Sequence, residues 1–232
     1  MAKHGKKYRS ALEKVEKNNL FASEKALEKV KELAHVDFDE TVDVDINLGI
    51  DATKGEQAVR GSVILPHGTG KRSYVIVFAK GDHADQALQA GADEVGAEDL
   101  VEKIQKGWLD FDYAVATPDL MGLVGKLAKL LGPRGLLPNK KVGTVTFDVG
   151  AIVKDLKSGR VFFKNDKSGL VHFSIGKVSF DKKQLEDNYI AFIKALAGSK
   201  PASSKGKFIR KITFASTMGV GIGVNPDEVT RL

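Results

Sequence analysis

The hydrophobic period of this chain changes twice, and that double change restricts the folds open to it. Across Thr41–Leu48 the period is two: Val42, Val44, Ile46 and Leu48 alternate with Thr41, Asp43, Asp45 and Asn47, which predicts a strand with one wet face. A second strand is expected over residues 59–65. Pro66-His67-Gly68-Thr69-Gly70 then breaks the pattern with turn residues. Beyond it, residues 73–79 (SYVIVFA) and Tyr113–Ala116 are continuously apolar, as in strands covered on both faces. Between and after them the spacing predicts helices over residues 85–90, 98–106 and 119–131, with a short strand at Glu94–Gly96. Strands alternating with helices read as a small, mostly parallel α/β sheet. From Arg160 the antiparallel style returns.

The flanking segments fill out the first style. Short helices are expected over residues 10–17 and after Ser23, taken as an N-cap. Residues 160–164 and 170–175 flank Asn165-Asp166-Lys167-Ser168-Gly169, which reads as a hairpin turn. An amphipathic helix over residues 181–197 turns Leu185, Tyr189, Phe192, Ile193 and Leu196 inward, and a polar Pro/Ser/Lys loop covers residues 199–206. A strand over residues 207–215 continues past Gly219 into residues 220–224. The plan is a discontinuous α+β domain (residues 1–67 and 160–232) interrupted by an inserted α/β domain (residues 68–159). Two glycine-containing crossings, near residues 66–70 and 158–160, form a hinge.

Charge follows the same division. The net charge is +6, but residues 1–33 carry nine Lys/Arg against five Asp/Glu, and residues 34–67 carry two against seven. Residues 68–159 balance at twelve each, and residues 160–232 carry thirteen against six. If the two ends of the chain meet, they make a basic domain around a neutral insert. Such a face attracts phosphate through counterion release, and a merely soluble surface fits the same counts.

The chain has no cysteine, which removes disulfides, thiolate catalysis and sulfur-ligated zinc. No apolar run has the length of a membrane span, and the basic Met1–Arg9 segment (residues 1–9) leads into no signal-peptide core. A soluble cytoplasmic protein without membrane association is expected. His67-Gly68-Thr69-Gly70-Lys71-Arg72 fails as a phosphate loop, because Leu65 and Arg72 stand where Gly and a hydroxyl are needed. Gly219-Val220-Gly221-Ile222-Gly223 is followed by Asn225-Pro226 rather than a helix, so no dinucleotide site is expected. The histidines have no metal-ligand spacing, and Asp43 with Asp45 reads as a solvated acidic face. No catalytic residue, metal, cofactor or small-molecule substrate is expected.

Two loops stay open between readings. In Gly132-Pro133-Arg134-Gly135-Leu136-Leu137-Pro138-Asn139, Gly132 reads as a Schellman cap for the preceding helix, and Arg134 equally reads as a cation presented to phosphate. Ser216-Thr217-Met218-Gly219 fits a strand bulge, and its small hydroxyl side chains and bare Gly fit an RNA minor groove.

These motifs, together with His67-Gly68-Thr69-Gly70 and Ala116-Thr117-Pro118-Asp119, occur in order along nearly the whole chain. They resemble the family of the bacterial large-subunit ribosomal protein numbered one, the mobile stalk protein beside the tRNA exit site. The resemblance implies a split RNA-binding domain with an inserted Rossmann-like, three-layer α/β domain. It implies a monomer within the ribosome that binds a large-subunit rRNA junction, assists release of deacylated tRNA from the exit site, and represses its own mRNA through a leader that mimics the rRNA site. By motif, the rRNA and mRNA surface comprises Phe38, Thr41, Lys167, His172, Ser216, Thr217, Met218 and Gly219. Lys54 and Arg60 are implied tRNA contacts, and Pro66, His67, Gly68, Gly70 and Gly159 the hinge. For Phe38, anchoring in the core is the alternative role. Two departures stand out: Ala215-Ser216 replaces a usual pair of threonines, and Lys140 replaces a usual proline. Asp43 and Asp45 are expected to point off the interface or to pair with Lys/Arg from residues 160–232.

Overall fold

The computed structural model describes residues 5–15, 19–204 and 206–231. The expectations for Met1-Ala2-Lys3-His4 and for the helix end at Lys17 lie outside them. The chain divides into two compact units, residues 1–70 with 162–232 and residues 71–161.

The first unit is built on a four-stranded antiparallel sheet in the order β7-β1-β8-β9. Its strands are β1 (Thr41–Leu48), β7 (Leu170–Lys177), β8 (Ile209–Ser216) and β9 (Ile222–Val224). The alternation in β1 is realised: Val42, Val44 and Ile46 are fully buried and Leu48 nearly so, while their neighbours are half-exposed. The apolar face is covered by α2 (Ser23–Leu33) and α8 (Lys182–Gly198). Phe173 stacks on Phe192 at 3.9 Å between centroids, and Tyr189 meets Phe214 edge-on. A capping box at Asp181 and Gln184 starts α8. The first helix, α1, runs Lys6–Glu13, earlier than the expected residues 10–17.

Three expectations in this unit are corrected. Ser23 is not a cap but the first helical residue; Ala22 precedes α2, and the Ser23 N–H donates to the Glu228 carboxylate at 2.9 Å. A distant acid thus does the work expected of a local hydroxyl. The segment over residues 165–169 does not close a two-strand ladder. The strand before it, β6 (Arg160–Lys164), pairs with β2 (Arg60–Ile64), and only an Asn165–Val171 bridge joins it to β7. The turn therefore hands the chain from one sheet to another. Finally, residues 220–224 do not prolong β8; β9 folds back on it antiparallel, with Phe214 opposite Ile222.

The second unit holds a parallel sheet, β4-β3-β5, of β4 (Glu94–Gly96), β3 (Val75–Phe78) and β5 (Tyr113–Ala116). All four β3 residues are buried, as a two-sided strand requires. Ile76 and Phe78 pack with residues of α4 (Glu98–Gln105), α5 (Met121–Val124) and α6 (Ala128–Arg134). By period two, Val75 and Val77 face the opposite side; α3 (Asp82–Gln89) and α7 (Val149–Lys157) pack together and against β3. Helix α7 was not anticipated, although Asp148 caps it by accepting from the Ala151 N–H. The expected helix over residues 119–131 is interrupted by short 3-10 turns at Pro118–Leu120 and Gly125–Leu127, where Gly122 and Gly125 weaken the helix. Its Schellman glycine is Gly135, not Gly132. Gly135 has φ +74°, its N–H donates to the Gly132 carbonyl, and the Leu136 N–H reaches back to Leu131.

Candidate nucleic-acid interface

Where β1 begins and β8 ends, a short turn and an acidic segment are locked together. Val42 lies opposite Ser216 in the ladder, and Thr41 pairs beyond it with Thr217. The Thr41 N–H donates to Thr217 Oγ1 at 3.0 Å, and the Thr217 N–H donates to the Thr41 carbonyl at 3.1 Å. The turn closes through the Gly219 N–H, which donates to the Ser216 carbonyl at 3.0 Å. A Cβ on Gly219 would lie 2.3 Å from Ser216 Oγ, so a larger residue there would force that buried hydroxyl to turn.

Beneath this turn lies Glu40, only 1% exposed. Its carboxylate accepts the Met218 N–H at 2.9 Å and the His35 N–H at 3.2 Å, and its carbonyl accepts the Val178 N–H. Burial pushes the Glu40 carboxyl up. The Met218 N–H, the nearby Ser216 hydroxyl and the His35 and Val36 N–H groups outweigh burial and hold it below its ordinary value. The Ser216 Oγ is itself buried and falls outside hydrogen-bond geometry to any acceptor. Asp39 adds a second brace: its carboxylate accepts the Ser179 N–H and hydroxyl, and Lys177 Nζ donates to the Asp39 carbonyl and to Thr41 Oγ1.

The expected surface residues divide clearly. Phe38 and Met218 are 55% and 53% exposed, so Phe38 does not anchor the core. Thr217 is exposed and Thr41 half-exposed beside them. Ser216 departs from the expected surface, because its side chain is turned inward toward Glu40. Glu40 and Lys177 complete the cluster, and neither was singled out from the sequence. The remaining residues lie farther along the sheet. His172 sits opposite Asp45 on the wet face, with Nδ1 2.5 Å from Asp45 Oδ1. Asp45 therefore shares that face and pairs with a histidine rather than with Lys or Arg.

Lys167 lies past the far end of β1, where the Leu48 N–H meets the Gly169 carbonyl. Seven residues of strand separate that end from Thr41, about 24 Å at the usual rise. Its turn is held by Asp166 Oδ1, which accepts the Leu170 and Ser168 N–H groups at 2.7 and 2.8 Å; these bonds hold the Asp166 carboxyl below its usual range. Lys54 pairs with Asp51 at 3.4 Å, and Arg60 is exposed at the start of β2. The structure thus brings Phe38, Thr41, Thr217, Met218 and Gly219 together, sets His172 midway, and leaves Lys167, Lys54 and Arg60 apart from the turn.

At the first crossing, buried Asn188 accepts the His67 N–H and donates to the Gly68 and Ile175 carbonyls. His67 Nε2 faces Asp187 at 3.1 Å, and Pro66 is exposed. Gly70 has φ +74° and would place a Cβ 2.9 Å from Lys177. Gly159, at φ +105°, follows α7. Among the described residues there is no cluster of His, Asp and Glu fit to hold a metal, and no helix is long and apolar enough to cross a membrane.

Against models of known protein families, residues 30–220 match the one described as the Ribosomal protein L1p/L10e family.

Proposed function

The chain belongs to the ribosomal protein L1p/L10e family, and from that premise we propose that its first unit grips a junction of large-subunit rRNA through the Phe38–Thr41 and Thr217–Gly219 turn. Membership gives it a structural, rRNA-binding role in the ribosome rather than a catalytic one. The observation that carries the finer reading is an aromatic ring and a thioether, both more than half exposed, on two segments clamped by one buried carboxylate. Exposed rings stack on bases, and a pre-ordered turn loses little entropy on binding. His172 and Lys167 extend the contact along the wet face of the sheet.

In this reading the bound chain and its rRNA form a mobile stalk that assists release of deacylated tRNA from the exit site, with Lys54 and Arg60 toward the tRNA. The crossings near residues 66–70 and 158–160 supply the hinge. Because Asn188 holds His67 and Gly68, the bending falls on the residues after Gly70 and around Gly159. The same turn binds a mimic of the rRNA junction in the chain's own mRNA leader and represses its translation.

Competition between the stalk-junction RNA and an unrelated duplex of equal length tests the core of this. Wild type is expected to prefer the junction by orders of magnitude. Thr217→Val is expected to lose about 1–3 kcal/mol of that preference, and Thr217→Ser, which keeps the hydroxyl, to retain it. Equal competition by both RNAs with no effect of either substitution would leave only charge and remove the turn from the interface.

A further inference from the structure

The second unit sorts its charge. Residues 120–147 contain five Lys/Arg and no Asp/Glu, while α3, β4 and α4 carry Asp82, Asp85, Glu94, Glu98, Asp99 and Glu102. Among those acids cations are neutralised at home: Lys80 pairs with Glu98 at 3.3 Å and Lys103 with Glu94 at 3.0 Å. Lys126, Lys129, Arg134 and Lys140 are exposed, and among the described residues none of the four pairs with a carboxylate. Unpaired, clustered cations repel one another and destabilise the free protein, so a partner that neutralises them is the simplest account of the arrangement.

The buried face of this stretch decides what points outward. Leu120, Val124, Leu127 and Leu131 are buried, which leaves Lys126 and Lys129 on the outer ridge with Gly122, Gly125 and Gly132, all exposed. A Cβ at any of these three glycines would meet nothing within 4 Å, and none has positive φ. Folding therefore has no use for Gly122 and Gly125, and each costs about 1 kcal/mol of helix stability against Ala, whereas Gly132 also spares a Cβ clash with Pro133. Bare backbone between lysines lets a ribose-phosphate strand come close while the ammonium groups reach phosphates on either side. The ridge has no Trp or Tyr of the kind that anchors protein–protein interfaces, which favours a polyanion over an acidic protein surface.

We propose that the Lys126–Lys129 ridge, with Arg134 and Lys140, is a second RNA-binding surface that docks on the sugar-phosphate backbone of a duplex. It is distinct from the Phe38–Thr217 turn and independent of sequence.

The test measures binding of the full chain to a junction-free RNA duplex between about 50 and 200 mM salt. Lys126→Gln/Lys129→Gln is expected to lower the slope of log K against log salt by about 2 and to weaken binding at fixed salt about tenfold or more. Gly122→Ala/Gly125→Ala is expected to raise Tm yet weaken duplex binding several-fold. An unchanged slope in the lysine variant, or unchanged affinity in the glycine variant, overturns the proposal. So does displacement of the duplex by poly-glutamate at equal charge concentration, which would assign the ridge to an acidic protein face. Thr217→Val, measured in parallel on the rRNA junction, reports on the turn alone. Failure of the turn and failure of the ridge are therefore separately visible.

Discussion

Glu40 Oε2 accepts the backbone N–H of Met218 at 2.9 Å, across 178 residues of sequence. A single buried carboxylate thereby sets the turn that presents Met218 and the segment that presents Phe38. Glu40→Gln puts an amide NH₂ where one carboxylate oxygen accepts an N–H. The expected cost is about 1–3 kcal/mol in urea unfolding, with junction affinity falling in step because the turn loosens.

The same carboxylate makes acid stability testable. Its folded-state value lies below that of the unfolded chain, so its contribution is complete above the ordinary glutamate range and is lost as pH falls through the folded value. Unfolding free energy followed from pH 7 down to about 3 is expected to drop less steeply below the ordinary glutamate value in Glu40→Gln than in wild type. Parallel curves for the two proteins would mean that Glu40 is not held ionised.

Phe38→Ala separates binding from folding. The ring is more than half exposed, so thermal stability is expected to stay within about 0.5 kcal/mol of wild type. Loss of one base-stacking platform is expected to cost about 1–3 kcal/mol of junction affinity. A large drop in Tm would restore the core-anchor role that the structure argues against.

Asp45 faces the same solvent as His172. If RNA lies along that face, Asp45→Asn removes a repelling charge and frees the imidazole, and junction binding is expected to tighten several-fold at low salt, with the gain shrinking as salt rises. An unchanged affinity would place the RNA at the Thr217 end only.

Two glycines of the second unit are expected to respond in opposite directions. Gly135→Ala forces a Cβ into the left-handed region at φ +74° and is expected to cost about 1–2 kcal/mol. Gly122→Ala, inside α5 with open space around it, is expected to stabilise by about 0.5–1 kcal/mol. Chemical denaturation of both variants is enough to distinguish them.

What was legible in the sequence was what short-range physics enforces. Val42, Val44, Ile46 and Leu48 have one core to face, so their alternation could mean little else, and the strand spans the expected residues. The same holds for the buried stripe of α8 and for β4 and β5. Partners far along the chain were not legible. Nothing near Glu40 marks it as different from Asp37 or Asp39, since its burial depends on Met218 and Val178. Ser23 looked like a cap because hydroxyls often are, while the anion that serves it is Glu228. The resemblance placed Ser216 on the surface with its neighbours; the inward turn of its side chain depends on Glu40, and Gly219 leaves room for it. Helix α7 was obscured by the residues before it, where Val145 makes a one-residue bridge to Ala116 and strand-like alternation competes with the helical period.

The place of β1 in its sheet has a consequence for biosynthesis. It is an inner strand, flanked by β7 and β8, and Thr41 pairs with Lys177. As the chain leaves the ribosome, β1 therefore emerges with both edges open and stays so until more than a hundred further residues have been translated. At about 5–20 residues per second this wait is on the order of ten seconds. The alternating Asp43 and Asp45 then serve as gatekeepers, charged side chains on an unpaired strand that would otherwise recruit neighbouring chains. Acids that add nothing to the core of the folded sheet are well suited to the nascent chain that precedes it.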